Sequence, residues 1–395
     1  MKKQIPIDDI IERAGTYSVK WSNIGGTCKD YKNPEQKLPF QVADMDLPCP
    51  EPMIKSLHKV VDHKMYGYSA DFTEPRYEKS IIDWYQRRFE CHVEKEWLTS
   101  TSGSIEGVNT VIKAFSNVGD GIIISRPVYG HFTQCIEQET YRKVVDSHLI
   151  NHDGHYTMDW EDFEKKCAEP TNRIYILCSP ANPVGRVWTK EELQKIVSIC
   201  KKNDVLLVSD EVHCDIHRKN TTHYPILSVT EDYSNIIMIS AINKTFNTAG
   251  LLCAYAIIPN NTLRGVFKKE LGEKLLTPFA IEALISAYNE CDDWLEQMND
   301  YIEENIDYAI DFISKNMPKV KVVKPEGTYI LWLDFSEYGL SFEEIHHRIY
   351  EKANVILQDG IVHDPFYGGQ FQRMCIPSPR PLLQEALERM AKEFS

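Results

Sequence analysis

Five short apolar runs between residues 95 and 260 constrain the fold of this chain more than any other feature. They lie at 121–125, 173–179, 204–210, 235–240 and 253–258. Each run is apolar almost throughout rather than alternating with polar residues, which is typical of strands that are covered on both faces. Amphipathic stretches separate the runs. One of them, TKEELQKIVSICKKN, opens with Thr189 and has Glu192 three residues later, a capping-box pattern that predicts a helix. Strands and helices in alternation predict an α/β fold with a mostly parallel sheet flanked by helices.

The C-terminal third of the chain has a different pattern. Residues 287–316 are polar with helical spacing, and the strand-like stretch VKVVKPEGTYILWLDF and a helical stretch, SFEEIHHRIYEKAN, follow. We therefore predict a large domain over residues 49–286. We expect a smaller α+β domain to be formed by residues 1–48 and 287–395, with the first 48 residues as an N-terminal arm.

Composition narrows the classes of partner and compartment. The 395 residues include 44 Lys and Arg against 58 Asp and Glu, a net charge of −14, without a basic patch, which argues against nucleic acid and anionic membranes. The opening MKKQIPIDDIIERAG lacks the apolar core of a signal peptide, and no apolar stretch approaches the roughly 20 residues that span a bilayer. Eleven cysteines occur singly, without a CxxC pair, as expected for free thiols in a reducing cytoplasm. We expect a cytoplasmic protein.

Four polar or aromatic side chains follow four of the predicted strands. Tyr129 comes after the first apolar run, Asn182 after the second, Asp210 ends the third, and Lys244 follows the fourth. Because ligands of open α/β sheets bind at the carboxyl ends of the strands, we expect these side chains to converge.

Each of these residues also has an ordinary interpretation when it is taken alone. Lys244 fits a solvated loop, and Asp210 fits a helix N-cap. Asn182 fits a residue that satisfies turn backbone, and Tyr129 fits core packing. It is their occurrence together that favours a shared site.

A candidate phosphate-binding element lies upstream, in LTSTSGSIEGVNTVIKAF. Gly103 and Ser104 precede apolar residues at helical spacing, so they predict the start of a helix. Backbone N–H groups at a helix N-terminus bind anions such as phosphate. A phosphate cradle, an aromatic ring, an amide, an acid and a lysine together are the set that pyridoxal 5′-phosphate (PLP) requires, with Lys244 as the Schiff-base lysine.

The chain resembles a known family over nearly its whole length. The matching segments are TYSVKW (16–21), VADMDLPCP (42–50), YGYS (66–69), SPANPVGRVW (179–188), SDEVHCDI (209–216), NKTFNTAGL (243–251), PEGTYILWLDF (325–335) and FQRMCIPSPR (371–380). These motifs are similar to those of fold-type I PLP enzymes of the aminotransferase class I/II superfamily, and within it to the MalY/PatB group of cystathionine and cysteine-S-conjugate β-lyases. The resemblance implies the PLP-transferase fold with a large and a small domain.

The resemblance also implies a role for each matching position in binding the cofactor. The implied set comprises Gly103, Ser104 and Ile105 for the phosphate, Tyr129 stacked on the ring, Asn182 at the ring oxygen, Asp210 at the pyridine nitrogen, and Lys244 as Schiff-base lysine and acid/base. Tyr68 matches a tyrosine that reaches the phosphate of the neighbouring subunit, which implies a homodimer with shared active sites.

Two further positions match residues that bind the amino-acid substrate. Arg373 corresponds to the arginine that grips the α-carboxylate, for which a bidentate guanidinium is suited. Ala43 is expected to line the same pocket through its backbone.

Several positions depart from the pattern of the group. Asn243 replaces a serine before the lysine, Gln41 a tryptophan, Ser22 an aspartate and Cys375 an asparagine. Ser240 is a candidate to replace the missing phosphate hydroxyl. These departures leave the cofactor set intact and bear on the choice of substrate.

The resemblance implies α,β-elimination from L-cystathionine or a related L-cysteine S-conjugate, giving pyruvate, ammonia and a thiol. A class I/II aminotransferase uses the same cofactor set and is the alternative, since fold and cofactor do not determine the reaction. A PLP-binding regulatory protein without turnover is a third possibility. His213 and His217, with Asp215 between them, suggest a metal site, but they follow the predicted cofactor aspartate on an expected loop with no third ligand in evidence, and we expect no metal.

Overall fold

A computed structural model of the chain describes residues 7–22 and 27–395. Its strands are β1 Leu38–Pro39, β2 Leu98–Thr101, β3 Gly121–Ile124, β4 Lys143–Asp146, β5 Leu149–His152, β6 His155–Met158, β7 Asn172–Cys178, β8 Leu206–Asp210, β9 Ile236–Ala241, β10 Ala254–Ile257, β11 Ile330–Asp334, β12 Val355–Ile356, β13 Gln358–Asp359 and β14 Phe371–Cys375. Its helices are α1 Val19–Ser22, α2 Glu51–His63, α3 Pro75–Phe89, α4 Ser104–Phe115, α5 His131–Gln134, α6 Trp160–Cys167, α7 Lys190–Lys202, α8 Asn261–Leu271, α9 Pro278–Glu290, α10 Asp292–Asn316, α11 Phe342–His347 and α12 Arg380–Phe394. In these two ranges, no helix combines the length and apolarity needed to cross a bilayer.

A seven-stranded sheet forms the centre of the large part of the molecule. Its strand order is β2-β10-β9-β8-β7-β3-β4. Only β10 runs antiparallel to its neighbours, and the other adjacent pairs are parallel. The predicted α/β fold with a mostly parallel sheet is therefore confirmed.

Alternate residues of the central strands enter two different buried clusters. In β3, Ile122 and Ile124 pack with residues of α4, whereas Ile123 belongs to the cluster that contains residues of α7. Because side chains alternate between the faces of a strand, a sheet with helices on both faces needs apolar residues at consecutive positions. This is the physical reason for the uninterrupted apolar runs in the sequence.

Two predicted helix starts are confirmed. The Thr189 hydroxyl accepts a hydrogen bond from the backbone N–H of Glu192, and the Glu192 carboxylate accepts one from the backbone N–H of Thr189, so the capping box at α7 is complete. Helix α4 begins at Ser104, with Gly103 as its N-cap residue in an extended conformation. The capping groups therefore set the start of α7, and the change to extended backbone at Gly103 sets that of α4.

The C-terminal part contains a three-stranded antiparallel sheet in the order β11-β14-β13. The same part of the chain also contains the helices α10 and α12. Only 330–334 of the strand-like stretch 320–335 is a strand. Upstream of it, Lys321 forms a single bridge with Asp334, and Pro325 has no N–H to donate to a ladder. The helical stretch at 287–316 is divided at Cys291 between α9 and α10.

The predicted helix at 341–354 is shorter than expected, because α11 ends at His347 and a π-helical turn, Arg348–Lys352, follows. The domain boundaries at residues 49 and 286 remain a prediction. Residues 1–6 and 23–26 of the predicted N-terminal arm lie outside the described residues.

A buried carboxylate ties the N-terminal segment to the rest of the fold. Asp46 accepts hydrogen bonds from Lys20 Nζ at 2.6 Å, Trp21 Nε1 at 2.9 Å, Arg13 Nη1 at 2.8 Å and Ser378 Oγ at 2.8 Å. Lys20 and Asp46 are both buried. The two cations hold the pKa of Asp46 below its ordinary value, although burial opposes this shift.

We expect Asp46→Asn to lower the free energy of unfolding by about 3–5 kcal/mol, because it leaves a buried lysine without its counter-charge. Urea denaturation measures the change. Asp83→Asn is the matched control: Asp83 pairs with Lys79 on the exposed surface of α3, and we expect its loss to cost less than about 1 kcal/mol. Equal effects of the two substitutions would contradict the role given to Asp46.

Candidate active site

The residues predicted from the strand ends surround one cavity. The cavity is lined by Ala43, Gly103, Ser104, Ile105, Tyr129, Asn182, Asp210 and Lys244, together with Cys178, Val212, His213 and Asn243. It lies where β2, β3, β7, β8 and β9 reach their carboxyl ends, as expected for a sheet of parallel strands. Eight of the ten predicted site residues thus contribute to its wall.

Lys244 follows β9, and its side chain reaches a segment about two hundred residues earlier in the chain. Nζ donates a hydrogen bond to the carbonyl oxygen of Ala43 at 2.8 Å. The same oxygen accepts a hydrogen bond from the hydroxyl of Tyr329 at 3.1 Å. Burial, and then the positive charge of Arg373, lower the pKa of Lys244. A lysine in this position is more easily deprotonated than a lysine on the surface.

Asp210 is the last residue of β8, and only 3% of it is exposed. Its Oδ1 accepts a hydrogen bond from the backbone N–H of Val212 at 3.3 Å. Burial raises the pKa of Asp210 to about 7, and the hydrogen bond and the charge of Lys244 offset only part of this shift. Asp210 does not cap a helix. It is a buried acid in the cavity wall that would be stabilised by a positively charged or N–H-bearing partner.

Arg373 lies on β14 and contacts the cavity through Asn182. Its Nη1 donates to Oδ1 of Asn182 at 3.3 Å, and its Nη2 donates to the carbonyl oxygen of Gln41 at 2.8 Å. Nε is buried and has no partner among residues 7–22 and 27–395. The Nε–H group of Arg373 can therefore bind a ligand beside the side-chain amide of Asn182.

Tyr129 and the start of α4 form two further parts of the wall. The ring of Tyr129 stacks on His131 with centroids 4.9 Å apart, and burial raises the pKa of its hydroxyl to about 12. The first N–H groups of α4 have no partner within the helix, so its N-terminus offers donors and partial positive charge. A side chain added at Gly103 would meet no atom within 4 Å, so the space above this N-terminus is open.

Tyr68 does not contribute to the cavity of its own chain. Its side chain is fully exposed, while the neighbouring Tyr66 packs against Phe279 and Ser69 donates to the carbonyl oxygen of Leu276. Tyr68 therefore does not pack in the interior of its own subunit.

Three of the four departures from the family pattern lie at or near the cavity. Asn243 lines it, and Oδ1 of Asn243 is buried without a partner in the described part of the chain. The sulfur of Cys375 accepts a hydrogen bond from Arg373 Nη2 at 3.4 Å, and the Gln41 carbonyl contacts the same guanidinium. Ser22 is exposed at the end of α1. Ser240 donates to the carbonyl oxygen of Glu211 and does not line the cavity, whereas Asn243 does.

Sequence reasoning missed three residues of the cavity wall, Cys178, Val212 and His213. The buried ring of His213 lines the cavity and packs edge-to-face on Tyr329 with centroids 5.5 Å apart, and burial holds its pKa well below 6.5. His213 lies three residues after Asp210, but this spacing alone does not fix the direction in which the turn between them carries its side chain. Among the residues described, no three His, Cys, Asp or Glu side chains form a cluster that could hold a metal ion.

The shifted pKa of Asp210 makes a prediction about stability. Because the folded pKa of about 7 exceeds the ordinary value of 3.8, the folded chain retains a proton that the unfolded chain loses. The resulting loss of stability grows as the pH rises from about 4 to about 7, and is constant above that. In the unliganded protein, we expect Asp210→Asn to be more stable than the wild type by about 2–4 kcal/mol at pH 8, and by less at pH 5.

Urea denaturation at pH 5, 6, 7 and 8 measures this difference. Asp83→Asn, at an exposed carboxylate, is the control and should show no such growth with pH. A gain for Asp210→Asn that is the same at every pH would refute the raised pKa.

Comparison with known proteins agrees with this geometry. The model of the family described as aminotransferase class I and II matches residues 35–390. The cystathionine beta-lyase PatB of Bacillus subtilis (strain 168) is 36% identical over 389 residues, which are 97% of this chain and 98% of that protein. Protein MalY of Escherichia coli (strain K12) is 26% identical over 382 residues, 96% of each protein.

Solved structures show the same fold. A PLP-bound putative aminotransferase from Clostridium difficile 630 has a TM-score of 0.93 and 36% identity, and covers 99% of this chain and 100% of its own. Cystalysin from Treponema denticola, which contains a PLP cofactor, has a TM-score of 0.92 and 32% identity over 99% of both chains. The chain belongs to the aminotransferase class I and II family.

Proposed function

We propose that this protein is a PLP-dependent carbon–sulfur β-lyase acting on L-cystathionine or a related L-cysteine S-conjugate. The observation that carries the proposal is the convergence of Lys244, Asp210, Asn182 and the N-terminus of α4 on one cavity, with Arg373 beside it. PatB, MalY and cystalysin, named above, support the choice of carbon–sulfur cleavage.

The chemistry of the cavity wall fits PLP. The phosphate would bind the N–H groups of Gly103, Ser104 and Ile105, and Asn243, whose Oδ1 has no partner within residues 7–22 and 27–395, would add a side-chain donor. The amide nitrogen and oxygen of an asparagine can exchange places with little change of shape, so Asn243 can present N–H to an anion. Asp210 would hold a proton at the pyridine nitrogen. Asn182 would contact the ring oxygen, and Tyr129 would cover one face of the ring.

Bound in this way, the cofactor supplies an electron sink for the substrate Cα. Arg373 is the residue that orients the substrate. Its free Nε and an adjacent Nη can bind both oxygens of an α-carboxylate once the contact with Gln41 is exchanged. Such an anchor would hold the substrate at the cavity that Lys244 lines.

Lys244 is the residue that moves protons. Because burial lowers its pKa, Lys244 loses its proton more readily than a surface lysine, and its neutral amine can accept the Cα proton. The electron pair of the Cα–H bond then forms the Cα=Cβ bond, and the Cβ–S bond breaks with release of thiolate. Lys244 can return its proton to the leaving sulfur. The three-carbon fragment that remains, 2-aminoacrylate, is hydrolysed with one water to pyruvate and ammonia.

An assay of pyruvate without a keto acid tests this function. We expect the PLP-saturated protein to release pyruvate from L-cystathionine, and Lys244→Ala to lower the rate by about 10³-fold or more. Lys319→Ala, at a lysine packed against Tyr338, is the control and should retain the activity. Product formation that requires an added keto acid would identify the aminotransferase alternative. A PLP-bound protein that turns over neither way would favour the regulatory one.

We also propose a homodimer with shared sites. Exposed apolar side chains occupy the surface around Tyr68, including Met65 at 73%, Phe72 at 69% and Leu275 at 41% exposure. A patch of this kind is typical of a protein interface. Tyr68 would reach the cofactor phosphate of the partner, which agrees with its full exposure and lack of contact with its own cavity.

Mixing two defective chains tests the shared site. If Tyr68 serves the partner subunit, a hybrid of Tyr68→Phe and Lys244→Ala chains has one intact site and one doubly defective site, so we expect activity to return on mixing. Each chain incubated alone is the control, and mass spectrometry verifies subunit exchange. Hybrids that exchange subunits without regaining activity would contradict the assignment of Tyr68 to the active site of the partner subunit.

A cytoplasmic location remains part of the proposal. All eleven cysteines are unpaired, and ten of them are buried. Free thiols in this number are typical of proteins in a reducing compartment.

A further inference from the structure

A second cavity lies at the N-terminus of α7 and shares no lining residue with the cavity around Lys244. The segment that follows β8 meets the loop at 324–328 here. Thr189 and Lys190 at the start of α7, Arg218 and Lys324 contribute to its wall.

Arg218 is the unusual member of this wall. Only 2% of the residue is exposed, and its Nη2 donates to the carbonyl oxygen of Thr328 at 3.0 Å. Nε and Nη1 are buried and have no hydrogen-bond partner in the described parts of the chain. A guanidinium has five N–H donors, and buried donors without partners reduce stability. Arg218 therefore has unused hydrogen-bonding capacity at the cavity.

The charge of Arg218 is also unpaired, unlike that of its neighbours. Arg186 forms ion pairs with Glu192 at 2.9 Å and Glu326 at 3.0 Å, and Lys324 pairs with two acids of α10. Arg218 has no carboxylate within 4.0 Å among residues 7–22 and 27–395. Burial lowers the pKa of Arg218 to about 10, so the group still carries its charge at neutral pH.

The start of α7 adds donors to the same cavity. The capping box uses the N–H groups of Thr189 and Glu192, whereas those of Lys190 and Glu191 have no acceptor within the helix. A helix of 13 residues also places partial positive charge at this end. Two carboxylates share the wall: Glu326 is engaged by Arg186 and the N–H of Val187, and Glu191 is exposed.

We propose that this cavity is a second ligand site, which binds a small oxyanion, a phosphate or a carboxylate, against Arg218 and the N-terminus of α7. Nε and Nη1 are covered in the unliganded protein, so a rotation of the Arg218 side chain would bring these two N–H groups and the positive charge to the anion. The planar fork of arginine suits both kinds of anion. The oxyanion would thus give the buried cation a counter-charge in direct contact, which Glu303 and Asp307 supply only from beyond 4.0 Å.

The site has a short connection to the active site. Arg218 holds the carbonyl of Thr328, and the next residue, Tyr329, donates to the Ala43 oxygen that also accepts Lys244 Nζ. A ligand that moves Arg218 therefore acts on the backbone next to a side chain of the active site.

Binding of inorganic phosphate and of malonate to the PLP-saturated protein tests the proposal, at an ionic strength held constant with chloride. We expect at least one anion to bind in calorimetry and to raise the melting temperature by about 2 °C or more at tenfold excess over Kd. Arg218→Met should weaken this binding by about tenfold or more. In chloride alone it should melt no lower than the wild type, because it removes a buried unpaired charge.

Arg142→Met is the matched control. Its guanidinium donates to Ser116 Oγ, to Ser116 O and to Thr140 O, so we expect its loss to lower the melting temperature and to leave anion binding unchanged. If Arg218→Met does not fold, Arg218→Lys keeps the charge without the fork and should bind the anion several-fold more weakly.

The two probes separate the sources of the ligand. Binding of phosphate alone indicates a phosphate ester, and binding of malonate alone indicates a carboxylate. Failure of both anions to bind the wild type, or equal binding by the wild type and the Arg218 variants, would overturn the proposal. The readout needs no turnover, so it is independent of the reaction proposed above.

Discussion

The buried carboxylate of Asp46 is the interaction on which the rest of the site depends. It accepts hydrogen bonds from Lys20 in the N-terminal segment and from Ser378 just before α12, so one side chain joins distant stretches of the chain. Asn247 adds a second tie, because its amide bonds to backbone groups of Met45 and Leu47. Residues 43–47 are held from both sides, and this places the Ala43 carbonyl at Lys244.

Burial acts on the two central ionisable groups in opposite directions. It raises the pKa of Asp210 and lowers that of Lys244, and both shifts favour the neutral forms. The charge of each group favours the charged form of the other. This mutual attraction offsets part of the cost of burying the two groups, and a ligand that brings its own protonated nitrogen to Asp210 would further favour the charged form of that acid. This is the electrostatic reason why a buried acid and a buried amine can coexist in one wall.

The sequence predicted the central sheet well and the small sheet less well. The five runs could be assigned because a sheet covered on both faces requires apolar residues at successive positions, as in Ile122, Ile123 and Ile124. The apolar pattern predicts one strand over residues 320–335. That pattern carries no information about strand pairing, and in the structure Lys321 forms a single bridge and Pro325 interrupts the ladder. Strand ends revealed Lys244 and Asp210. The wall position of His213 depends on a turn whose direction local sequence does not specify.

Lys244 is held by a backbone carbonyl rather than by a side chain. A mutation at codon 43 can change the bulk of the wall, yet it leaves the acceptor oxygen in place. Cys375 is different, because it contacts Arg373 through its own sulfur, so a single codon change there alters the surroundings of that guanidinium directly. Substitutions at position 43 therefore keep the backbone acceptor of Lys244, whereas substitutions at position 375 change a side-chain contact of Arg373. Related chains can thus differ in the residues around Arg373 while the hydrogen bond that holds Lys244 stays the same.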